Sequence, residues 1–286
     1  MNTQTSPLNT AVIATIDDIG VAYLTLNRTD KHNAFDSHII ADLIEQLTLL
    51  NNYPNLRALV LQANGKHFSA GADLQWMRSM ANKTPEENQD DAELLAQLMH
   101  MLDTFPHPTL CLVQGWAFGG ALGLICCCDM AIATLDAQFC LSEVKLGLIP
   151  ATIGPYVIRS IGIRQARRYM LTAEKITSQA AQSLGVIHLS TANIDKARDE
   201  WLQQILANAP IALTAAKTLC HACDAEPIND QLRQTTSEMI ATLRVSPEGQ
   251  EGLNAFFEKR TPSWQQQLKL SSELKTKELN KGNNHE

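Results

Sequence analysis

Glycine and proline are scarce in this sequence, at 14 and 11 of 286 residues, which excludes a fibrous or low-complexity protein. Hydrophobic residues make up 45% of the chain, too large a share for an intrinsically disordered protein. Basic residues are fewer than acidic ones, 23 against 30, and the net charge of −7 disfavours nucleic-acid binding, which depends on Lys and Arg neutralising phosphates. The length and the apolar fraction predict one large globular domain, alone or with a small appendage.

Signals for secretion and for a disulfide framework are also missing. The first ten residues are polar and lack the basic and apolar regions of a signal peptide. The seven cysteines are odd in number, and those at 126–128 are consecutive within an apolar run, which is not the pattern of a disulfide-stabilised domain. We interpret Cys220 and Cys223 as a buried pair on a helix, because no second ligand pair stands at zinc spacing. The sequence therefore predicts a cytoplasmic protein with no metal site.

One stretch raises the question of a membrane segment. Residues 104–128 contain no Asp, Glu, Lys or Arg, and residues 110–128 are apolar enough to register as a candidate span. Glycines at positions 115, 119, 120 and 123 divide this run into a strand, a turn and a helix. We therefore predict no membrane segment.

Strand and helix patterns alternate from residue 12 to residue 189, which indicates an α/β fold. The predicted strands lie at residues 11–16, 21–26, 56–63, 109–113 and 130–134. Asp36 is the predicted N-cap of the first helix, and further helices are expected at residues 74–80 and 92–102, with a polar, mobile loop at 82–91. From Asn193 onward the pattern is helical.

Several common catalytic motifs are absent. The chain has no GxxxxGK[ST], GxGxxG, GxSxG or HExxH, and its eight histidines are scattered without ligand spacing. His67 stands near Ser69, but nothing supports a triad, and we assign it no role.

Two strand-to-helix junctions are more informative. Residues 65–74 and 115–121 are rich in small residues, which expose backbone N–H groups. Two such junctions in one sheet could aim two amides at a single oxygen and form an oxyanion hole. Spacing alone favours the simpler interpretation, tight turns needed for packing.

Six segments occur in a fixed order along nearly the whole chain. They are residues 28–34 (RTDKHNA), 68–73 (FSAGAD), 115–120 (GWAFGG), 128–129 (CD), 142–150 (SEVKLGLIP) and 251–260 (EGLNAFFEKR). Together they resemble the crotonase (enoyl-CoA hydratase/isomerase) superfamily. The resemblance implies an α/β spiral of ββα repeats with a C-terminal helical region. The implied division is a polar tail at 1–10, the spiral core at 11–205, a helical trimerisation region at 206–265 and a polar tail at 266–286.

The same resemblance implies an acyl-CoA substrate, no cofactor besides the coenzyme A that is part of the substrate, and a homotrimer or a dimer of trimers. It assigns the backbone N–H groups of Ala72 and Gly120 to the thioester oxygen and Glu143 to acid/base catalysis. Because the segment around Glu143 is poor in charge, we expect a partly desolvated carboxylate. The residues implied to line the substrate pocket are Gly119, Gly123, Trp76, Met77 and Pro150. Those implied to bind coenzyme A are His32, Ala70, Asp73, Leu74, Phe256 and Lys259.

Gly123 departs from the family pattern. Hydratases of this family typically present two glutamates on opposite sides of a water, and the first would stand at Gly123. A glycine inside a helix is less favourable than alanine by about 0.8–1.0 kcal/mol, so its presence needs a reason. We predict that it leaves room for a branched acyl group or an extra water; close helix packing is the alternative.

Residues 69–80, 143–151, 154–158 and 164–169 resemble bacterial 3-methylglutaconyl-CoA hydratases of leucine degradation. The implied reaction is reversible hydration of a short branched enoyl-CoA. Its distal carboxylate needs a cation, since burying it unpaired is costly, and Arg78 or a basic residue of the C-terminal helices is the predicted partner. The alternatives are a Δ3-Δ2-enoyl-CoA isomerase, which needs only one glutamate, a generic enoyl-CoA hydratase, and a non-catalytic acyl-CoA- or RNA-binding relative.

Overall fold

The structure is a computed structural model that describes residues 10–224 and 226–266. Its strands are β1 (Val12–Ile16), β2 (Val21–Leu26), β3 (Ala58–Ala63), β4 (Thr109–Val113), β5 (Trp116–Phe118), β6 (Met130–Thr134), β7 (Gln138–Cys140), β8 (Ile176–Thr177) and β9 (Leu189–Thr191). Its helices are α1 (Ser37–Asn51), α2 (Leu74–Met80), α3 (Pro85–Asp103), α4 (Gly120–Cys127), α5 (Gly154–Ile161), α6 (Ile163–Thr172), α7 (Ser178–Leu184), α8 (Ile194–Leu206), α9 (Pro210–Cys223), α10 (Asp230–Val245) and α11 (Pro247–Phe257). The predicted polar tails lie, apart from residues 10 and 266, outside the described residues.

The strands of the described chain form a larger and a smaller sheet. The larger has the order β1-β2-β3-β4-β6-β9 and is parallel except for the β1–β2 pair, and the smaller has the order β5-β7-β8. Between β4 and β7 the chain alternates between the two sheets, as a spiral of repeats requires. The predicted α/β class with a C-terminal helical region is confirmed.

Both faces of the larger sheet are buried. Along β4, Cys111 and Val113 belong to the core that also contains α1, α3 and α4, whereas Leu110 and Leu112 pack in a second core with α8. A strand covered on both faces shows no alternation of polar and apolar residues. Burial on both sides explains the absence of charge over most of residues 104–128. This stretch folds mainly into β4, β5 and α4. Within residues 10–224 and 226–266, no helix is long and apolar enough to cross a membrane.

The predicted mobile loop at residues 82–91 is wrong, because α3 begins at Pro85. The Thr84 hydroxyl accepts the Glu87 N–H at 3.2 Å, and the Glu87 carboxylate accepts the Thr84 N–H at 2.8 Å. This reciprocal capping box satisfies two N–H groups that an isolated helix start leaves unbonded. The first turns of α3 are polar because they face solvent, not because they are unstructured.

The C-terminal helices bury little of their own surface. No residue of α9 or α10 is buried, and the prediction of a buried cysteine pair is wrong because Cys220 and Cys223 are exposed on α9. Large apolar side chains that are exposed in this region are Ile211, Leu219, Ile228, Ile240, Val245, Leu253, Phe256 and Phe257.

Candidate active site

The two junctions selected from the sequence meet at one edge of the larger sheet. Since β3 and β4 are neighbouring parallel strands, the chain leaves both at the same edge. The Cα of Gly71, after β3, lies 3.9 Å from the position that a Cβ on Gly119 would occupy. The structure therefore brings the turn before Ala72 against the turn before Gly120.

The backbone N–H of Ala72 is directed away from Phe35, the residue with which Ala72 forms an isolated parallel bridge. Phe35 donates its N–H to the Gly71 carbonyl at 2.8 Å, and Asp73 donates its N–H to the Phe35 carbonyl at 2.7 Å. In such a parallel bridge the peptide groups on either side of Ala72 face Phe35, so the N–H of Ala72 itself points the other way. Among the described residues it has no acceptor.

The backbone N–H of Gly120 is similarly unbonded in the described part of the chain, because Gly120 is the first residue of α4. Gly119 precedes it at φ +55° and donates its own N–H to the Cys140 carbonyl at 2.9 Å. The N–H at a helix start also carries the positive end of the helix dipole. Ala72 and Gly120 thus supply two free amides from two adjoining turns.

Phe35 supports both amides, although sequence reasoning gave it no role. Its backbone holds the Ala72 segment, and its ring lies beneath Gly120, 3.6 Å from the position of a Cβ there. The one indication in the sequence is that Phe35, a large aromatic residue, directly follows the segment 28–34 that carries the family resemblance.

Arg28 fixes the same region by a charged contact. Its guanidinium lies 2.6 Å from Asp36 Oδ2 and 3.2 Å from Asp73 Oδ2. Asp36 is the N-cap of α1, as predicted, and Asp73 is the N-cap of α2. One arginine therefore joins two helix starts beside Ala72.

The carboxylate of Asp73 is engaged within the protein. Burial disfavours its charge, but the backbone N–H groups of Gln75 and Trp76 and the Arg28 guanidinium outweigh that effect and hold the pKa of Asp73 below its ordinary value. These contacts hold the turn that carries Ala72 against the start of α2.

Glu143 lies against this pair of turns. It is the first residue of the 3-10 helix Glu143–Leu146, and its Oε1 lies 3.3 Å from the position of a Cβ on Gly119. Its Oε2 is buried and has no hydrogen-bond partner among the described residues. Burial raises the pKa of Glu143 above its ordinary value, while its own backbone N–H acts in the opposite direction. A buried carboxyl group left without a partner is unfavourable for stability, and such groups concentrate at functional sites.

Gly123 does not open the pocket, so the predicted room for a branched acyl group or an extra water is wrong. A Cβ on Gly123 would lie 2.8 Å from Ile153 Cβ and 2.8 Å from Met99 Sδ, and would overlap Ile153 Cγ2. These side chains fill the space beside the fully buried glycine. The alternative, close helix packing, is correct, and a glutamate at this position would need both neighbours to move.

The other predicted pocket and coenzyme A residues differ in how far they are buried. Trp76 and Met77 are half-buried on α2, where Trp76 Nε1 donates to Asp91 Oδ1 on α3 at 3.3 Å, and Pro150 is buried. Ala70 donates its N–H to the carbonyl of the exposed His32 at 2.9 Å.

Three further candidates are solvent-exposed. Leu74, at the start of α2, is 73% exposed. Phe256 and Lys259 are exposed at and after the end of α11, which packs on α10. Arg78 is also exposed and makes no ion pair with any residue that the structure describes.

Comparisons with known proteins show which family this chain resembles in sequence and fold. The family model described as enoyl-CoA hydratase/isomerase matches residues 17–267. The crystal structure of an enoyl-CoA hydratase from Shewanella pealeana is 52% identical, with a TM-score of 0.87, over 90% of this chain and 97% of that one.

Two curated relatives are similar over most of their length. An enoyl-CoA hydratase of Alternaria alternata is 32% identical over 79% of this chain and 76% of its own. The 2,3-dehydroadipyl-CoA hydratase of Escherichia coli K12 is 31% identical over 85% of this chain and 94% of its own.

The packing at Gly123 generates a stability prediction. Gly123→Ala is expected to lower the free energy of unfolding by about 1–3 kcal/mol, because overpacking outweighs the gain in helix propensity. Gly154→Ala is the matched control, since a Cβ there would lie 3.9 Å from Met170 Cε, an ordinary contact, and its effect is expected to stay within about 0.5 kcal/mol. Urea unfolding of the three proteins measures both values. A Gly123→Ala protein as stable as the parent would contradict this packing.

Proposed function

The chain belongs to the enoyl-CoA hydratase/isomerase family, and from that membership we propose that it reversibly hydrates the double bond of an enoyl-CoA thioester. The main support for the proposal is the position of Glu143 against the turns that present two unbonded amides. Its Oε1 lies beside Gly119, and its buried Oε2 has no hydrogen-bond partner among the described residues. A carboxylate beside an oxyanion hole is suited to moving a proton next to a carbonyl group.

In the proposed reaction the amides of Ala72 and Gly120 bind the thioester oxygen. Adding hydroxide to the β-carbon converts the thioester into an enolate, and its negative oxygen gains more from two N–H donors than the neutral carbonyl does. Losing one such donor typically costs about 2.7–4 kcal/mol of transition-state stabilisation. Phe35 and Arg28 support the proposal because they hold both donors before substrate binds.

Glu143 serves both proton transfers. Its carboxylate takes a proton from water as the water oxygen bonds to the β-carbon, and the resulting carboxylic acid gives that proton to the α-carbon, so one water is consumed. A raised pKa favours this cycle, because the group accepts a proton more readily than an ordinary carboxylate does. With Gly123 packed against Ile153 and Met99, one glutamate carries both steps.

The same observation favours a second candidate, Δ3-Δ2-enoyl-CoA isomerisation. There Glu143 would take a proton from the carbon next to the thioester and return it two carbons further along, with no water consumed. A single carboxylate suffices for this reaction.

For the substrate we propose 3-methylglutaconyl-CoA, which would place the enzyme in leucine degradation. Support comes from the sequence segments that resemble such hydratases, and from a relative named for the dicarboxylic thioester 2,3-dehydroadipyl-CoA. Arg78 is the proposed partner of the distal carboxylate, because its guanidinium is exposed and makes no ion pair in the described chain.

We further propose a cytoplasmic homotrimer or dimer of trimers. The exposed apolar residues of the C-terminal helices are suited to burial against another copy of the chain. In such an assembly Phe256 and Lys259 would approach a neighbour's coenzyme A, beside His32, Ala70 and Leu74.

Replacing Glu143 tests the acid/base assignment. Glu143→Gln is expected to lower kcat by about 10²–10⁴-fold or more, because the amide cannot accept the proton. Affinity for the enoyl-CoA, measured by calorimetry, should change little. The variant should be at least as stable as the parent at pH 7, since a carboxyl with a raised pKa destabilises the fold when ionised and ceases to do so as pH falls through that pKa. Glu45→Gln, at an exposed α1 position, is the control. Retained turnover would remove Glu143 from the mechanism.

A substrate panel tests the specificity. We expect kcat/KM to be highest for 3-methylglutaconyl-CoA, against crotonyl-CoA and a 3-enoyl-CoA, with the conjugated double bond followed by absorbance. Arg78→Met should lower kcat/KM for 3-methylglutaconyl-CoA about tenfold or more through loss of a charged hydrogen bond, and leave crotonyl-CoA unaffected. Arg164→Met, another exposed arginine, is the control. Preference for crotonyl-CoA would overturn the substrate assignment, and preference for the 3-enoyl-CoA would favour the isomerase.

A further inference from the structure

His67 is buried between the two turns of the candidate site and takes no part in the chemistry described above. It is 4% exposed and lies on the loop that leads from β3 to Ala72. It also contacts Trp116, the first residue of β5, and β5 leads directly to Gly120. The position of this ring therefore bears on both amides.

The two segments are joined by a short parallel ladder. Ser69 donates its N–H to the Trp116 carbonyl at 3.0 Å and accepts the Phe118 N–H at 3.1 Å. If the ladder continued regularly, the Trp116 N–H would donate to the carbonyl of residue 67, two residues before Ser69.

The ladder is instead broken at His67. The His67 carbonyl accepts from Asn33 Nδ2 at 2.9 Å, and Phe68 rather than His67 donates its N–H to the Gln114 carbonyl, at 2.8 Å. The Trp116 N–H donates to Nδ1 of the His67 ring at 3.1 Å. A side-chain nitrogen thus takes the place of a backbone carbonyl in the ladder.

The ring is held tightly in this place. It stacks on the Trp116 ring with centroids 4.1 Å apart and 6° between the planes. Gly115 approaches so closely that a Cβ there would lie 2.5 Å from Nδ1, and its φ of +60° also favours glycine. Since Nδ1 accepts a hydrogen bond, the neutral ring carries its proton on Nε2.

We propose that His67 is a positioning residue of the oxyanion hole, whose neutral ring fixes the Gly120 amide relative to the Ala72 amide through Trp116. The proposal rests on the proposed function for its effect on catalysis. The geometry of the oxyanion hole then depends on the protonation state of His67. A proton on Nδ1 would face the Trp116 N–H and remove the hydrogen bond between them.

The surroundings of His67 keep the ring neutral. Burial lowers the pKa of His67 most, the neighbouring His32 and Lys66 lower it further, and Asp136 raises it to a smaller extent. His32 meets the ring edge-on at 5.2 Å, and Lys175 lies 6.0 Å from the Trp116 ring. Because the folded-state pKa lies below that of the unfolded chain, the hydrogen bond is present at neutral pH and is lost in acid.

His188 provides a matched control elsewhere in the fold. Its Nδ1 accepts the Ala131 N–H at 3.1 Å, its ring meets Trp201 at 6.2 Å, and burial lowers its pKa as well. It lies beside the β6–β9 pair, where no residue of the candidate site is found. Both histidines therefore accept a backbone N–H at Nδ1. The bond of His67 lies beside the candidate site, and the bond of His188 does not.

Two variants of His67 distinguish the effect of its hydrogen-bond acceptor from the effect of its aromatic ring. His67→Phe keeps an aromatic ring but cannot accept, and should lower kcat about tenfold or more with little change in KM, since a small displacement of a catalytic group is costly. His67→Asn offers an acceptor that does not titrate, and should recover most of that loss. His188→Phe should lower stability comparably and leave kcat unchanged. An unchanged kcat in His67→Phe, or an equal loss in His188→Phe, would overturn the proposal.

The pH profile gives a readout that a purely structural role would not move. In the parent, kcat/KM should fall in acid more steeply than one protonation allows, because both Glu143 and His67 must be deprotonated. In His67→Asn the acid limb should have the slope of a single group. Equal slopes in the two proteins would contradict the positioning role.

A measurement that needs no turnover distinguishes failure of this proposal from failure of the proposed function. Long-range proton–nitrogen NMR of the free protein, with the signal assigned by its loss in His67→Asn, should show His67 Nδ1 unprotonated at neutral pH. Absence of turnover with every enoyl-CoA would remove the proposed function, and the NMR would still decide the state of the ring. A protonated Nδ1 at neutral pH would overturn the positioning role whatever the substrate.

Discussion

The parallel pairing of β3 with β4 is the constraint on which the candidate site depends. It directs two consecutive turns to one edge of the sheet, where Gly71 and Gly119 come into near contact. Neither turn alone forms a site, since each contributes one unbonded amide. Gly119 is needed for two reasons, because its φ is positive and because a side chain there would press on the Glu143 carboxylate.

Core packing and charged contacts hold the two turns at this edge in place. Met99 and Ile153 close on Gly123 and hold α4 from the side, which fixes the helix whose first residue is Gly120. Arg28 and Phe35 hold the opposite turn. Beside this packing lies a buried carboxylate oxygen, Glu143 Oε2, that has no hydrogen-bond partner among the described residues. An ionisable group that is buried without a partner is unfavourable for stability, and such groups concentrate at functional sites.

Much of this could be predicted from the sequence because the decisive signals are local. Asp36 as a helix cap, the helix Leu74–Met80 and the two small-residue junctions follow from spacing, and the structure has them where predicted. Residues 82–91 have the polarity of a loop, but Thr84 followed by Glu87 three residues later forms a capping box that starts a helix there. Gly123 and His67 could not be predicted in this way, because their roles depend on Ile153, Met99 and Trp116, which the fold brings from other elements.

In the proposed reaction the Ala72 and Gly120 amides polarise a thioester carbonyl beside Glu143. Isotope-edited infrared spectroscopy tests it directly, using a carbonyl-13C enoyl-CoA bound to the Glu143→Gln protein so that substrate persists. Two donors directed at the thioester oxygen should shift its C=O stretch to lower frequency than in free substrate. A bound carbonyl with the same or a higher frequency than in water would contradict this role of the amides, since it would show a thioester that they do not touch.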